Sequence, residues 1–547
     1  MAKNMGFDLG TTNSVIAVYD EVEQRPKAIE VNSSTNIPSV AWRDDGDWEF
    51  GKGAKDNAGE EEGQSYREFK VLITEDDQKK LSRRGYSTSY TPVDITKKFT
   101  DFCLKSGACA EFGAEQIDHL VICAPEVWNA GARSSDGRPI LREICQSLGY
   151  VGDVRVVSEP SAAGAYFAHR YARESGEPYR GRILIIDYGG GTLDITLIKV
   201  NAVPDGEQLK MEIKVEKRTG AGQHENEVGE AGVAYQEALI RCVALRYGIE
   251  AAEGPDFFCA VDKLETHLRS KVSDIEQTFT FTPPDELDAL DEIPFCWVKY
   301  GSTRMNITYG DLTRTYDQVI RPVLAAQLEK INREMDNGGI DYTTDDKTFR
   351  IELAGGFGNF YLVRNQVSNV YEALYGQIEN SNDRERAVAY GASLVASDVV
   401  NLRSTAPYSI GVRCSLRTNM ENTHFAFKYG EDIEYKKQYF QCFGDGGRMP
   451  LTINNNEALE LIINYGADPN YIQAGQIVDS IKKKLQALVP NGESIHVAFS
   501  LDESEILSFH IQKCDYLYRP VGEVETIRLS RIGDLLKNSE AEYIRQH

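Results

Sequence analysis

Residues 182–200 read RILIIDYGGGTLDITLIKV. Four apolar residues, Ile183 to Ile186, end in an acid, Asp187, and after Gly189, Gly190 and Gly191 the stretch Leu193–Val200 alternates back as a second strand. Three glycines in a row cost chain entropy and bury no side chain. The spacing therefore predicts a turn that glycine populates freely and that lets backbone closely approach something else. Consecutive main-chain N–H groups in such a turn form a nest for an anion. Asp187, Thr192 and Asp194 stand beside it. One or two carboxylates, phosphate oxygens and retained waters are what Mg²⁺ prefers. Taken alone, the stretch also reads as a glycine-rich hairpin of an ordinary β domain.

A second copy lies at the N-terminus. Gly6-Phe7-Asp8-Leu9-Gly10-Thr11-Thr12-Asn13-Ser14 leads into Val15–Tyr19: strand, acid, a glycine-bearing turn with two threonines, and a returning strand. Two such hairpins far apart in sequence suggest a pincer that closes on one phosphate chain from both sides. A duplicated α/β lobe becomes the favoured architecture.

Length and charge bound the rest. At 547 residues the chain exceeds a single core, so two to four domains are expected. The formal charge of −24 argues against nucleic acid as a partner, though a nucleotide needs only local charge. No apolar run is long enough to span a bilayer, and Met1–Met5 shows no secretory apolar region. Ten cysteines without a C-x-x-C and eight histidines without an H-x-x-x-H imply reduced thiols, no zinc site and a cytoplasmic protein.

Between the hairpins, Trp42–Phe50 reads as a strand pair turned at Asp44-Asp45-Gly46-Asp47, and Lys70 sits in an amphipathic run. His119–Ala124 reads as a strand stopped by Pro125, and Arg138–Leu148 as a helix capped by Gly149. Val154–Ser158 feeds a small-residue helix with Glu159 at the strand's end, where ligands bind in α/β sheets. Helical spacing covers Asp262–Phe279, and Thr308–Met335 holds a long helix. Ile351–Ala354 then enters a third glycine turn at Gly355-Gly356, and Glu385–Ala396 is a small-residue helix. Asp398–Pro407 reads as a connector. Beyond it Ser494–Leu501 and Leu507–Ile511 alternate at period two as a half-buried hairpin, and Ser530–His547 reads as one short helix.

In order and spacing, the stretches FDLGTTNS (Phe7–Ser14), CAPEVWNAGAR (Cys123–Arg133), SEPSAAGA (Ser158–Ala165), IIDYGGGTLD (Ile185–Asp194) and LAGGFG (Leu353–Gly358) resemble the DnaK-like seventy-kilodalton heat-shock chaperones. That family belongs to the actin and sugar-kinase superfamily. The resemblance implies an α/β fold: a two-lobed, actin-like ATPase domain with a duplicated βββαβα core over residues 1–397. A linker at 398–406 and a small β-sandwich, substrate-binding-like domain over 407–547, without a full helical lid, would follow. It implies ATP or ADP with Mg²⁺ as cofactors, the metal held through water by Asp8 and Asp187. Gly10, Thr11, Thr12, Asn13 and Gly189–Gly191 would cradle the phosphates, with Thr192 and Asp194 completing the γ-phosphate wall. Lys70 and Glu159 match the catalytic positions, and Arg269, Gly355, Gly356 and Glu385 the nucleoside side. Pro125 and Arg133 match a switch that couples nucleotide state to the second domain. Extended peptide or unfolded clients and J-domain or nucleotide-exchange co-chaperones are the implied partners, with no nucleic acid and no membrane.

The departures are specific. Arg269 is followed by Ser270 where the family has a basic pair, Phe357 and Asn359 stand where it has Ser and Arg, and Glu505 replaces the glycine of the C-terminal turn. A nucleotide-latched scaffold with little hydrolysis is therefore the second reading. A small-molecule kinase and a filament-forming actin relative are minor ones.

Overall fold

Strands that end in an acid and turn on glycine occur twice in this sequence, and each becomes the centre of a sheet. The computed structural model describes residues 4–58, 63–75, 77–110, 113, 115–126, 128, 137–205, 208–222, 230–282, 289–344, 348–379, 383–414, 424–443, 446–452, 459–464, 471–476, 483, 492–528 and 542–545. Arg133, Gly229, Pro283, Pro284 and most of 477–488 lie outside the described residues. The chain divides into two compact units. Met1–Val127, Ile144–Ile213 and Thr219–Asn401 form one, and Trp128–Glu143, Lys214–Arg218 and Leu402–His547 form the other.

In the first unit, β1 (Asn4–Asp8), β2 (Asn13–Asp20), β3 (Arg25–Ala28), β4 (Ile117–Ala124) and β5 (Val151–Ser158) lie in the order β3-β2-β1-β4-β5. A second sheet contains β6 (Tyr179–Tyr188), β7 (Leu193–Asp205), β8 (Gln208–Ala221), β9 (Phe349–Ala354) and β10 (Ile378–Glu379) in the order β10-β9-β6-β7-β8. The duplication is one of topology. β1 pairs antiparallel with β2 and parallel with β4, as β6 pairs antiparallel with β7 and parallel with β9.

Five helices set the site: α1 (Glu159–Ser175), α2 (Gly232–Arg246), α3 (Pro255–Ser270), α4 (Val272–Phe281) and α5 (Ala387–Ala396). The small residues of α1 and α5 have a direct use. A Cβ on Gly391 would fall 1.6 Å from Ala162 O, and one on Gly6 2.3 Å from Ser393 N, so helix meets helix and strand at backbone distance. Glu159, the first residue of α1, is thereby held within electrostatic reach of Asp8 on β1.

Three readings of the sequence change here. Asp262–Phe279 is two helices, because the chain leaves helical geometry at Lys271 (φ −114°, ψ 27°). Thr308–Met335 also divides, into Tyr309–Val319 and Arg321–Asn337, where Pro322 removes a backbone donor. Of the expected C-terminal helix, Glu542–Arg545 is a strand (β19 below), because its backbone pairs antiparallel with Tyr471–Ala474 instead of closing on itself.

In the second unit β11 (Ser409–Cys414), β12 (Tyr439–Phe440), β13 (Pro450–Thr452), β14 (Leu459–Asn464), β15 (Tyr471–Gln476), β16 (Ser494–Leu501), β17 (Leu507–Cys514), β18 (Pro520–Arg528) and β19 (Glu542–Arg545) form two sheets. Their orders are β11-β14-β15-β19 and β12-β16-β17-β18, with β13 beside β16. Alternate residues of β16 and β17, among them Val497, Phe499, Phe509 and Ile511, meet Ile410, Val412, Leu461 and Ile463 in one core. Val400–Ser404, inside the expected connector, is itself a strand. Among the described residues no helix is long and apolar enough to cross a membrane.

Candidate functional site

The two glycine turns meet tip to tip. A Cβ on Gly190 would lie 2.6 Å from Thr12 Cγ2, and one on Gly191 2.5 Å from Thr11 Oγ1 and 2.7 Å from Val71 Cγ1. None of Gly189, Gly190 and Gly191 has a positive φ. The expected close approach is found at Gly190 and Gly191, while a Cβ on Gly189 would meet only Thr192 O, at 3.8 Å. The N-terminus of α2 abuts the same turn, with Gly232 N donating to Gly189 O at 3.2 Å and Val233 N to Gly190 O at 2.9 Å.

Behind the turns sits a crowd of buried acids around one cation. Lys70 is 2% exposed, and its Nζ donates to Glu159 Oε1. Burial works against its charge, but Glu159 and Asp8 outweigh it and hold the pKa above the ordinary value. Burial and then Glu159 push the Asp8 carboxyl up to about 7, with Lys70 opposing. Asp187 is raised well above its usual range by burial, Glu159, Asp194 and Asp8. Its Oδ2 is buried with no hydrogen-bond partner among the described residues. An orphaned carboxylate oxygen among like charges fits a hydrated divalent cation. Among the described residues no three His, Cys, Asp or Glu side chains form a cluster that could hold a metal ion.

A cavity with about 1340 Å³ of open space, its mouth included, runs from these turns to the far end of the cleft. Asp8, Gly10, Thr11, Thr12, Asn13, Glu159, Asp187, Gly189, Gly190, Gly191 and Thr192 line one end, and Arg269, Gly355, Gly356 and Glu385 the other. Lys70 and Asp194 do not line it. Lys70 reaches it through Glu159, and Asp194 faces Asp187 across the β6–β7 ladder. Gly355 has φ +76°, and a Cβ there would sit 2.6 Å from Asp187 Oδ1.

At the far end the residue after Arg269 supplies no second base. Ser270 does not reach the cavity; Leu268, Val272 and Ile275 make an apolar wall instead. Arg269 donates to Glu385 and, at 3.4 Å, to Glu265 Oε1. Phe357 also lines the cavity, yet it packs edge-on to Tyr188 at 5.1 Å and stacked on Phe360 at 5.5 Å. Its ring closes the core behind the third glycine turn, which explains the departure at that position. Glu265, Asn36 and Arg384 were not singled out from sequence, and Asn359 only as a departure from the family pattern. Only the spacing of Glu265 and Arg269, one helical turn apart on α3, gave a usable signal.

Ion pairs tie the segments around residues 55–84 to helices α2 and α3. Lys55 pairs with Glu265 at 2.6 Å, Arg67 with Asp262 at 2.8 and 2.7 Å, and Arg84 with Glu237 at 3.0 Å. Asn13 Nδ2 adds a bond to Glu265 Oε1 at 3.4 Å.

With this geometry in view, a family model described as "Hsp70 protein" matches residues 4–214. Over that span the chain is similar to the Hsp70 family. Two curated relatives named "Chaperone protein DnaK", from two strains of Halobacterium salinarum, are each 23% identical over 423 residues, which is 75% of this chain and 59% of the relative. The chain thus spans less than two thirds of the length of these relatives. The Hsp70-matched span holds both glycine turns, Lys70 and Glu159, whereas Arg269, Gly355, Gly356 and Glu385 lie beyond it.

Proposed function

We propose that this chain binds and hydrolyses Mg·ATP and couples its nucleotide state to the binding of extended peptide or unfolded clients in the C-terminal β domain. The observation that carries this is the meeting of two equivalent hairpin turns over Asp8, Asp187 and the Lys70–Glu159 pair in one cavity. Hsp70 family members are ATPases, and their J-domain and nucleotide-exchange partners belong to the same proposal.

The phosphate chain lies against Gly10–Asn13 and Gly189–Gly191, whose backbone N–H groups and threonine hydroxyls donate to it. Asp8 and Asp187 would hold Mg²⁺ through water, and the ion would neutralise charge on the β- and γ-phosphates. Lys70 stabilises negative charge that develops at the γ-phosphate. Glu159 orients the attacking water and takes up its proton. Water is the acceptor, so positioning and charge stabilisation do most of the catalysis. Titration calorimetry of Mg·ADP and single-turnover hydrolysis test the reading. Binding that survives Glu159→Gln while turnover falls supports it; a chain that binds no Mg·nucleotide sinks it.

A second reading, a nucleotide-held scaffold with little turnover, draws on the ion pairs Lys55–Glu265, Arg67–Asp262 and Arg84–Glu237, which favour a closed cleft. Tight ADP with no measurable hydrolysis over hours would select it.

A further inference from the structure

The chain reaches Lys70 through a bend that its sequence does not favour. The short strand Gln64–Arg67 pairs with Val40–Arg43, and Glu68, the next residue, has φ +56°. A residue with a Cβ is strained there and persists only where its surroundings over-determine it. From that bend Glu68 O accepts from Leu72 N at 3.1 Å, closing the turn that carries Lys70. Val71, in the same turn, is the residue whose Cγ1 lies 2.7 Å from a Cβ built on Gly191. The direction the chain takes at Glu68 therefore sets where Lys70 meets Glu159 and where Val71 meets the glycine turn.

Arg67 before the bend is bonded to Asp262, and Phe69 after it packs on Phe99 at 5.0 Å. The side chain of the strained residue itself is held by Arg84. The Arg84 Nη1 group donates to Glu68 Oε1 at 3.1 Å and to Glu237 Oε1 on α2 at 3.0 Å, and Nε lies 3.3 Å from Glu253 Oε2. Arg241 holds the same Glu237 and Glu253, at 3.1 and 3.2 Å. Among the described residues Arg84 is the cation that forms an ion pair with Glu68. Burial raises the Glu68 carboxyl, Arg84 opposes it, and Glu237 and Glu253 raise it further. Without Arg84, Glu68 would face two like charges with no ion pair to keep its side chain, or the backbone beneath it, in place.

We propose that Arg84 is a positioning residue for Lys70: by gripping Glu68 it keeps the left-handed bend that delivers the lysine to Glu159 and the glycine turns. The effect on turnover rests on the nucleotide reading given above; the placement of Lys70 does not.

Two measurements on the full chain test it. One is the rate at which acetic anhydride labels Lys70 in the nucleotide-free protein, read by mass spectrometry. The other is single-turnover hydrolysis of pre-bound Mg·ATP. Lys70 is 2% exposed, so wild type should label slowly. Arg84→Met is expected to raise the labelling rate and to lower turnover, each on the order of tenfold. Adding Glu68→Gly removes the unpaired carboxylate and takes the left-handed backbone without strain. The double variant should return to within about threefold of wild type in both. A role limited to tying α2 would not be rescued, because the double variant still lacks the bond to Glu237. If thermal melts show that Arg84→Met does not fold, Glu68→Ala against Glu68→Gly decides. Both lose the carboxylate and only alanine keeps the strain, so only alanine should release Lys70. Unchanged labelling in Arg84→Met, no rescue in the double variant, or equal effects of alanine and glycine in place of Glu68 overturns the proposal. If labelling follows the expected pattern while wild type hydrolyses no ATP, the positioning stands and the hydrolysis reading alone falls.

Discussion

Asp187 and Asp194 are direct cross-strand partners in the β6–β7 ladder, which puts two buried carboxylates on one face of the sheet beside the triple-glycine turn. Cross-strand pairs of like charge destabilise a sheet. Here burial, Glu159, Asp194 and Asp8 all push the Asp187 carboxyl upward, and only Lys70 pulls it back. A carboxylate kept in such company is a candidate for ligand binding. Asp187→Asn should therefore stabilise the metal-free, nucleotide-free protein by about 1–2 kcal/mol while weakening Mg·ADP on the order of tenfold or more. Urea unfolding in chelator and calorimetric titration read the two signs separately. Equal losses in both would make Asp187 a structural residue.

Lys70 and Glu159 should fail in different ways. Lys70→Met leaves Glu159 and Asp8 without their cation in a site that is almost fully closed, which costs on the order of 3–5 kcal/mol. Glu159→Gln keeps an oxygen for Lys70 and the first position of α1. Its fold should hold and its Mg·ADP affinity stay within about threefold, while turnover drops about 10²–10⁴-fold. Single-turnover assays beside thermal melts separate the two.

Much of the cleft was legible because its residues are short-range features of the chain. Acid, glycine and threonine at a strand end mark a tight turn, and two copies mark the pair of turns that meet in the cleft. The alternation of Ser494–Leu501 and Leu507–Ile511 likewise marked the hairpin of the second unit, found as β16 and β17. What remained hidden depends on partners far away in sequence. Asn36 reaches Glu385 across 349 positions, and Lys55 reaches Glu265 across 210. No local pattern encodes either. The break at Lys271 was also invisible, because helical periodicity runs through it, although its geometry is what brings Val272 and Ile275 to the cavity wall.

Arg67 and Asp262 make a two-point bond, with side chains only 15% and 18% exposed. Bidentate guanidinium–carboxylate pairs are stronger than exposed single contacts. Because Asp262 and Glu265 share α3 and Glu265 lines the cavity, opening the Arg269 end of the cavity requires these contacts to part. Asp262→Asn should speed ADP release on the order of tenfold with little change in association rate, since such effects fall mainly on dissociation. Stopped-flow displacement of a fluorescent ADP measures it. An unchanged release rate would place the exit elsewhere.

His169 on α1 gives the fold a pH dependence. It is buried edge-on to Tyr19 at 6.1 Å, and its Nε2 has no partner among the described residues. Burial and then Arg173 lower its pKa from 6.5 to about 4. Between those values the unfolded chain binds a proton that the folded chain refuses. Stability is therefore complete above about pH 6.5, falls as pH drops through the window, and levels off below about 4, a total of roughly 3 kcal/mol. Urea midpoints at pH 7 and 5 should converge in His169→Phe relative to wild type. An identical slope in both proteins would show that the imidazole opens to solvent before it titrates.

Glu505 sits at φ +58°, where a glycine would lie without strain. A left-handed residue with a side chain costs roughly 1–2 kcal/mol. Set against this, its carboxylate accepts from Arg138 Nη1 at 2.6 Å and Arg218 Nη1 at 3.1 Å, and those arginine side chains are only 1% and 3% exposed. Burial alone would raise the Glu505 carboxyl, yet Arg218 and Arg138 hold it far below the usual range. Removing one member of a buried charge cluster costs about 3–5 kcal/mol, more than relief of the backbone returns. Glu505→Gly is thus expected to destabilise the second unit by roughly 2–3 kcal/mol despite placing the preferred residue in the turn. Glu505→Gln, which keeps both the strain and the side-chain oxygen, should cost less than the glycine variant if hydrogen bonding dominates, and more if charge does. Denaturant unfolding of the three proteins ranks them. A glycine variant as stable as wild type would mean that backbone strain outweighs the two guanidinium contacts, and that the glutamate is held there by something other than stability.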